Sequence, residues 1–175
     1  MYLISVYFDK KTTQELDRLI KYIARNTKND FMIKHQVPPH LTIASFESKS
    51  IEALLEAFSL TVNTLKSIPI DIVSPGALLP YVMYAAPILS MDLREMNRHI
   101  NAFLMNCKDV NVGKYYQPDQ WLPHITLGKT LTKEEMQIAF QTLQQYFVPV
   151  RGYVTEIGIA GTNPHTDLLR VQLKP

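Results

Sequence analysis

Histidine is the side chain best suited to moving protons near neutral pH, and this 175-residue chain has five of them. Two share a local context. Residues 39–43 read Pro39-His40-Leu41-Thr42-Ile43, and residues 123–127 read Pro123-His124-Ile125-Thr126-Leu127. Successive side chains of a β-strand point to opposite faces. Each copy therefore sends its His and Thr to one face and its aliphatics to the other. Two such strands facing each other would line a cleft with two imidazoles and two hydroxyls, a set suited to acid–base chemistry on a phosphate. A Thr two residues along a strand lies about 6–7 Å from its His at the backbone, a span that one phosphate fills.

The other histidines serve as controls. In Pro164-His165-Thr166 the Thr follows at +1, which on a strand sends the two side chains to opposite faces, so His165 is expected in a turn. His35 falls in a polar loop before the first motif, within reach of the cleft, with a solvated position the stronger expectation. His99 flanks the apolar stripe of a helix, and a structural or solvated role is expected for it.

The elements that must position the motifs follow from periodicity. Residues 2–8 are rich in β-branched and aromatic residues and read as a buried strand. Leu16, Leu19, Ile20 and Ile23 give a helix to about Asn26, with Thr12 or Thr13 as its cap. A loop over 27–37 leads to Pro38 and Pro39, which force an extended backbone into a strand at 40–46. A helix capped by Ser50 spans 51–65, and a strand spans 67–73. Ser74-Pro75-Gly76 reads as a turn before a strand at 77–85. An amphipathic helix runs from Pro87 to about Lys108, and residues 109–120 form a loop. The second motif strand covers 122–128. A helix capped by Thr130 or Thr132, the latter fitting a capping box with Glu135, continues to about Tyr146, and strands near 148–159 and 167–173 flank a Gly161-Thr162-Asn163-Pro164 turn.

Each motif strand thus opens a strand–turn–helix–strand unit, and the two histidines stand 84 residues apart, close to half the chain. That predicts two related lobes within a single domain over 1–175, of α+β class because direct hairpins mix with helices.

Composition narrows the functions. The chain is 46% hydrophobic and 19% charged, as a folded globular protein should be. A net charge of +2 is too small for non-specific nucleic-acid binding, yet compatible with an anion held at one place. Cys107 is the only cysteine, so no intramolecular disulfide and no Cys-rich metal motif can form. It is expected as a buried structural thiol in a reducing, cytoplasmic setting. No apolar run approaches a membrane span, and no membrane association or obligatory protein partner is expected.

A pair of His-x-Thr-x strands, His40-Leu41-Thr42-Ile43 and His124-Ile125-Thr126-Leu127, in an α+β chain of this size resembles the 2H phosphoesterase superfamily. That group includes RNA 2′,3′-cyclic phosphodiesterases, also named 2′-5′ RNA ligases. The resemblance implies a bilobal, pseudo-two-fold fold of two mainly antiparallel sheets with outer helices and a central cleft. It implies His40, Thr42, His124 and Thr126 as catalytic residues, no metal or other cofactor, and RNA termini or small nucleotides as substrates. Hydrolysis of a cyclic phosphodiester would pair an acid with a base, and the threonine hydroxyls would stabilise the non-bridging oxygens. His40 is taken as acid and His124 as base, an order that pseudo-symmetry leaves open.

Phe8, Tyr84, Tyr115, Tyr116 and Trp121 are the candidates for stacking on a base, although for each one alone core or loop packing is the stronger expectation. Lys129 and Arg151 can attract phosphate, with surface solvation the stronger expectation. A nucleotide- or RNA-binding module with a weakly active cleft is the competing class. A His-based metal site lacks the convergent carboxylates and close His spacing usual for zinc.

Overall fold

The computed structural model describes residues 1–162 and 165–175. The strands are β1 (Tyr2–Phe8), β2 (Leu41–Ser48), β3 (Ile68–Leu78), β4 (Val82–Pro87), β5 (Val110–Val112), β6 (Ile125–Gly128), β7 (Val150–Gly161) and β8 (Thr166–Gln172). The helices are α1 (Lys10–Thr27), α2 (Phe31–Lys34), α3 (Ile51–Val62), α4 (Met91–Met105) and α5 (Lys133–Tyr146), with a 3-10 turn at Lys114–Tyr116. The α+β class is as expected.

The expected two sheets are one. The strand order is β5-β2-β1-β7-β3-β4-β6, with β8 also paired to β7, and every pairing between these strands is antiparallel. The cause is the length of β7. Its first part, Val150–Val154, pairs with β3, and its second part, Glu156–Gly161, pairs with β8. On its other edge β1 runs from Val154 to Gly161. At Val154 both edges are occupied, by Phe8 and by Ile68, so the ladder passes through without a break.

Helices α1 and α5 pack on each other, with α1 also against β6 and β7 and α5 against β4. Helix α4 covers β2 and β5. The α1 stripe is buried at the positions its spacing predicted, Leu16, Leu19, Ile20 and Ile23. Its cap is Asp9 rather than Thr12 or Thr13. The Asp9 carboxylate accepts from the Thr12 backbone N–H at 3.0 Å, the Thr12 hydroxyl at 2.7 Å and the Tyr153 backbone N–H at 2.7 Å. One side chain thereby serves both a helix start and a strand edge.

Other boundaries move for local reasons. Strand β3 runs straight through Ser74-Pro75-Gly76, and the reversal comes at Leu79-Pro80-Tyr81. Gly76 faces Tyr84 across the hairpin, and the tyrosine ring occupies the space a β-carbon would need. The glycine is therefore a site of close approach, not a turn residue. Pro87 ends β4 instead of opening α4, whose cap is Ser90 accepting from the Leu93 N–H at 3.2 Å. The loop expected over 27–37 contains α2, and that over 109–120 contains β5 and the 3-10 turn. The capping box of Thr132 and Glu135 on α5 is present as expected. Asn163 and Pro164 of the expected last turn lie outside the described residues.

Candidate active site

Both motif histidines sit one residue before a strand begins, at the end of a proline-led segment. The buried Pro39 and Pro123 fix φ and have no N–H of their own to donate. The carbonyl two residues before each histidine stays free for its ring. His40 Nδ1 lies 2.8 Å from the Pro38 carbonyl oxygen, and His124 Nδ1 lies 2.9 Å from that of Leu122. A carbonyl only accepts, so Nδ1 carries the proton in both rings, and in the neutral form Nε2 keeps its lone pair. The two copies share this geometry as well as their spelling.

Alternation then works as the sequence predicts. Leu41, Ile43, Ile125 and Leu127 are fully buried in the core. His40, Thr42, His124 and Thr126 all line one cavity of about 540 Å³. Strands β2 and β6 lie near opposite ends of the strand order, yet a direct hydrogen bond joins the segments. The Trp121 indole Nε1–H donates to the Thr42 carbonyl at 3.0 Å. Ser5 Oγ lies 3.4 Å from Thr42 Oγ1 beneath the cavity.

The stacking candidates separate. Tyr116 lines the cavity, and burial pushes its hydroxyl pKa up. Tyr84 does not line it; its ring lies over Gly76 and meets His124 edge-on at 5.6 Å, so it backs the imidazole. Phe8 and Trp121 are buried away from the cavity, and Tyr115 is three-quarters exposed outside it. Lys129, placed on the opposite face by simple alternation, does line the cavity, because it follows the end of β6 where alternation lapses. Its ammonium stands 5.8 Å from the centre of the Phe31 ring. Arg151 is exposed and pairs with Asp71 at 3.3 Å.

Several residues of the site carried no motif signal. Asn97 on α4 donates to the Ile43 and Tyr116 carbonyls, each at 3.0 Å, and Asn101 donates to Tyr116 at 3.1 Å. This pair ties the 3-10 turn to β2 and sets Tyr116 at the cavity wall. Two asparagines at i and i+4 inside an apolar stripe were the available clue. His35 reaches the lining while remaining exposed, its ring 4.4 Å from Phe31. His165 also lines the cavity, 5.8 Å from the His40 ring and 27° from parallel to it.

Behind His40 lies a charged cluster. Asp167 accepts from the Tyr7 hydroxyl at 3.3 Å and pairs with Arg170 at 2.7 Å. The Arg170 guanidinium lies 3.7 Å over the Tyr7 ring and 3.6 Å from Glu156. Burial, reinforced by Asp167, raises the Tyr7 pKa. Burial likewise pushes the His40 imidazole down to about 4, against its hydrogen bond to Pro38 and with added repulsion from His165, His124 and Arg170. Cys107, just beyond the end of α4, is half-buried and donates to the Phe103 carbonyl at 3.4 Å, and burial raises its thiol pKa. Among the described residues no three His, Cys, Asp or Glu side chains group as a metal site, and no helix is long and apolar enough to cross a membrane.

Comparison with known proteins bears on the fold and the family. No curated protein matches the sequence. Among solved structures, the chain superposes on E. coli LigT complexed with 3′-AMP with a TM-score of 0.64 and 16% identity, covering 99% of this chain and 98% of that one. A crystallised phosphoesterase gives 0.63 and 15%, covering 99% and 98%. TT0787 of Thermus thermophilus gives 0.62 and 14%, covering 99% and 97%. At these identities the likeness is one of fold. The sequence model of the 2′-5′ RNA ligase superfamily matches residues 9–165, nearly the whole chain. The chain belongs to the 2′-5′ RNA ligase superfamily, the 2H phosphoesterases.

Proposed function

We propose that this protein is a metal-independent phosphodiesterase that opens 2′,3′-cyclic phosphates, or cleaves 2′-5′ linkages, in RNA ends or small nucleotides. The observation that carries the reading is the matched pair of imidazoles on one cavity, each with Nδ1 committed to a backbone carbonyl and Nε2 left for chemistry. The same matched geometry supports two pseudo-symmetric lobes contributing one motif each. E. coli LigT has been crystallised with 3′-AMP, ATP, NADP+ and phosphate, which supports a nucleotide-sized ligand.

The roles follow from the electrostatics. An imidazole with a pKa of about 4 is neutral at neutral pH, so His40 is the base and His124 the acid, the reverse of the order taken from sequence. His40 Nε2 accepts a proton from water as its oxygen bonds to phosphorus. His124 delivers its proton to the sugar oxygen as the P–O bond breaks, and the product is a phosphomonoester. Thr42 and Thr126 donate hydroxyl hydrogen bonds to the non-bridging oxygens as their charge grows. With a 5′-hydroxyl in place of water, the same groups would open the cyclic phosphate into a 2′-5′ bond, the 3′-oxygen leaving with a proton from the acid.

The test is a product-resolved assay over 2′,3′-cyclic mononucleotides, cyclic-ended oligonucleotides and 2′-5′-linked dinucleotides. Release of a phosphomonoester from at least one class supports the reading. Absence of turnover on all three, with the protein folded, overturns it.

A further inference from the structure

One wall of the cavity is a short element that no motif announced. Helix α2 is a single turn, closed by the Val37 N–H on the Met32 carbonyl and the Gln36 N–H on the Ile33 carbonyl, each at 3.0 Å. That paired closure needs a left-handed residue, and Gln36 supplies it at φ 50°, where glycine is usual. Such strain persists where the surrounding structure holds it in place. The start of the turn is tied down too. Asn29 accepts from the Phe31 N–H at 3.2 Å, and its amide donates to the Thr130 carbonyl and to Glu135, each at 3.2 Å. The segment is thus fastened to the turn that follows the second motif strand.

What this anchoring fixes is a pair of rings. Phe31 is half-buried and His35 exposed, their centres are 4.4 Å apart, and both line the cavity. Lys129 stands over the Phe31 ring at 5.8 Å, so Phe31 already has neighbours and His35 offers the open ring. We propose that Phe31 and His35 form the shelf on which the nucleobase of the substrate stacks, His35 in contact with it and Phe31 backing His35. The proposal deepens the reading of the site given above and rests on it for the nucleotide character of the ligand.

A cavity of about 540 Å³ is far larger than a phosphate and has room for a base beside the two motif pairs. Much of the remaining lining is aliphatic, with Leu3, Val37, Leu78 and Val82. Such side chains accommodate a base but give its flat ring no parallel partner. The flat partners in the lining are few. His40 and His124 face the phosphate, and His165 lies against His40. Tyr116 packs against the core, its carbonyl held by Asn97 and Asn101. His35 is left as a ring that is exposed, backed by another ring and set on a doubly anchored backbone. A ring fixed in advance loses little freedom on binding, so ordering does not offset the stack. Stacking tolerates every base, because each has a π-face, and a larger ring system covers more of the shelf. A purine is therefore held somewhat better than a pyrimidine, and either is held much better than a sugar phosphate without a base.

The experiment is calorimetric binding of adenosine 3′-monophosphate, uridine 3′-monophosphate and methyl riboside 3-phosphate, which lacks a base. The proteins are wild type, His35→Ala, His35→Phe, His35→Lys and Tyr116→Leu, with kcat and KM for the matching 2′,3′-cyclic phosphates alongside. His35→Ala weakens adenosine 3′-monophosphate about fivefold or more, weakens the uridine compound less, and leaves the base-free phosphate unchanged. It raises KM for the cyclic adenosine substrate with little change in kcat. His35→Phe keeps the adenosine affinity and His35→Lys does not. Equal weakening of nucleotide and base-free phosphate by His35→Ala, or affinity kept by His35→Lys alone, marks a phosphate contact and overturns the proposal. So does wild-type binding that is no tighter with a base than without one. Undiminished adenosine affinity in His35→Ala overturns it too, and a loss in Tyr116→Leu would then name the ring that carries the base. A protein that binds nucleotides as described but turns over no phosphodiester keeps the shelf and loses the proposed function.

Discussion

The Trp121 indole nitrogen donates to the Thr42 backbone carbonyl at 3.0 Å, and that single bond fastens the segment carrying one motif to the strand carrying the other. Trp121 stands three residues before His124, and Thr42 two after His40, so the bond spans the two halves of the site. Replacing Trp121 with Phe keeps an aromatic ring and removes the donor. The buried carbonyl then loses its partner at a cost of about 1–3 kcal/mol. Urea denaturation should report that loss, and kcat should fall several-fold as the histidines lose registry. Unchanged stability and kcat would show that the bond positions nothing.

The threonine hydroxyls make a second prediction. Thr42→Val and Thr126→Val preserve side-chain shape while removing the donors to the non-bridging oxygens. Each should lower kcat by about 10- to 1000-fold with little change in KM, since the bonds strengthen as charge develops. Single-turnover kinetics on a 2′,3′-cyclic nucleotide separates the two constants. A rise in KM alone would place the hydroxyls in ground-state binding.

A third prediction concerns pH. Folding lowers the His40 pKa from the ordinary 6.5 to about 4, so between these values the unfolded chain holds more protons than the native one. The contribution of His40 to stability is fully present above about 6.5 and is lost as pH falls toward 4. The imidazole keeps some access to water, so the change should be of the order of 1–2 kcal/mol. Denaturation at pH 7 and pH 4.5 for wild type and His40→Gln checks it, because the variant should lose less on acidification. The acid limb of kcat/KM should fall near 4 rather than near 6.5. A limb at the ordinary histidine value would contradict the burial argument.

The fourth prediction lies outside the site. A β-carbon at Gly152 would come within 1.8 Å of Thr12 Oγ1 and 2.5 Å of Asp9 Oδ2. Gly152→Ala would push apart the cap that joins α1 to β7, at a cost of about 1–3 kcal/mol. Thermal unfolding should show a lower Tm with the site chemistry intact. An unaltered Tm would mean the cap yields freely.

What the sequence made legible was periodic or paired. The strand alternation of Leu41, Thr42 and Ile43, the helical stripe of α1 and the Thr132–Glu135 capping box all depend on neighbours in the chain, and all appear as read. What it hid depends on partners far away. Ser74-Pro75-Gly76 has the composition of a turn, but Tyr84 across the hairpin makes Gly76 a strand residue. The single sheet follows from β7 having pairing partners on both edges at Val154, which no local pattern reveals. His165 was set aside because its threonine is out of register. That argument removed it from the repeated motif, but it did not fix where tertiary folding would put its ring.

The central claim is tested most directly by hydrolysis of a 2′,3′-cyclic nucleotide in EDTA by wild type, His40→Ala and His124→Ala. Acid–base catalysis contributes about 100- to 10,000-fold per group, so each variant should lose at least about 100-fold in kcat while staying folded. The wild type should be indifferent to the chelator. Unchanged turnover in both variants would contradict the two-histidine account.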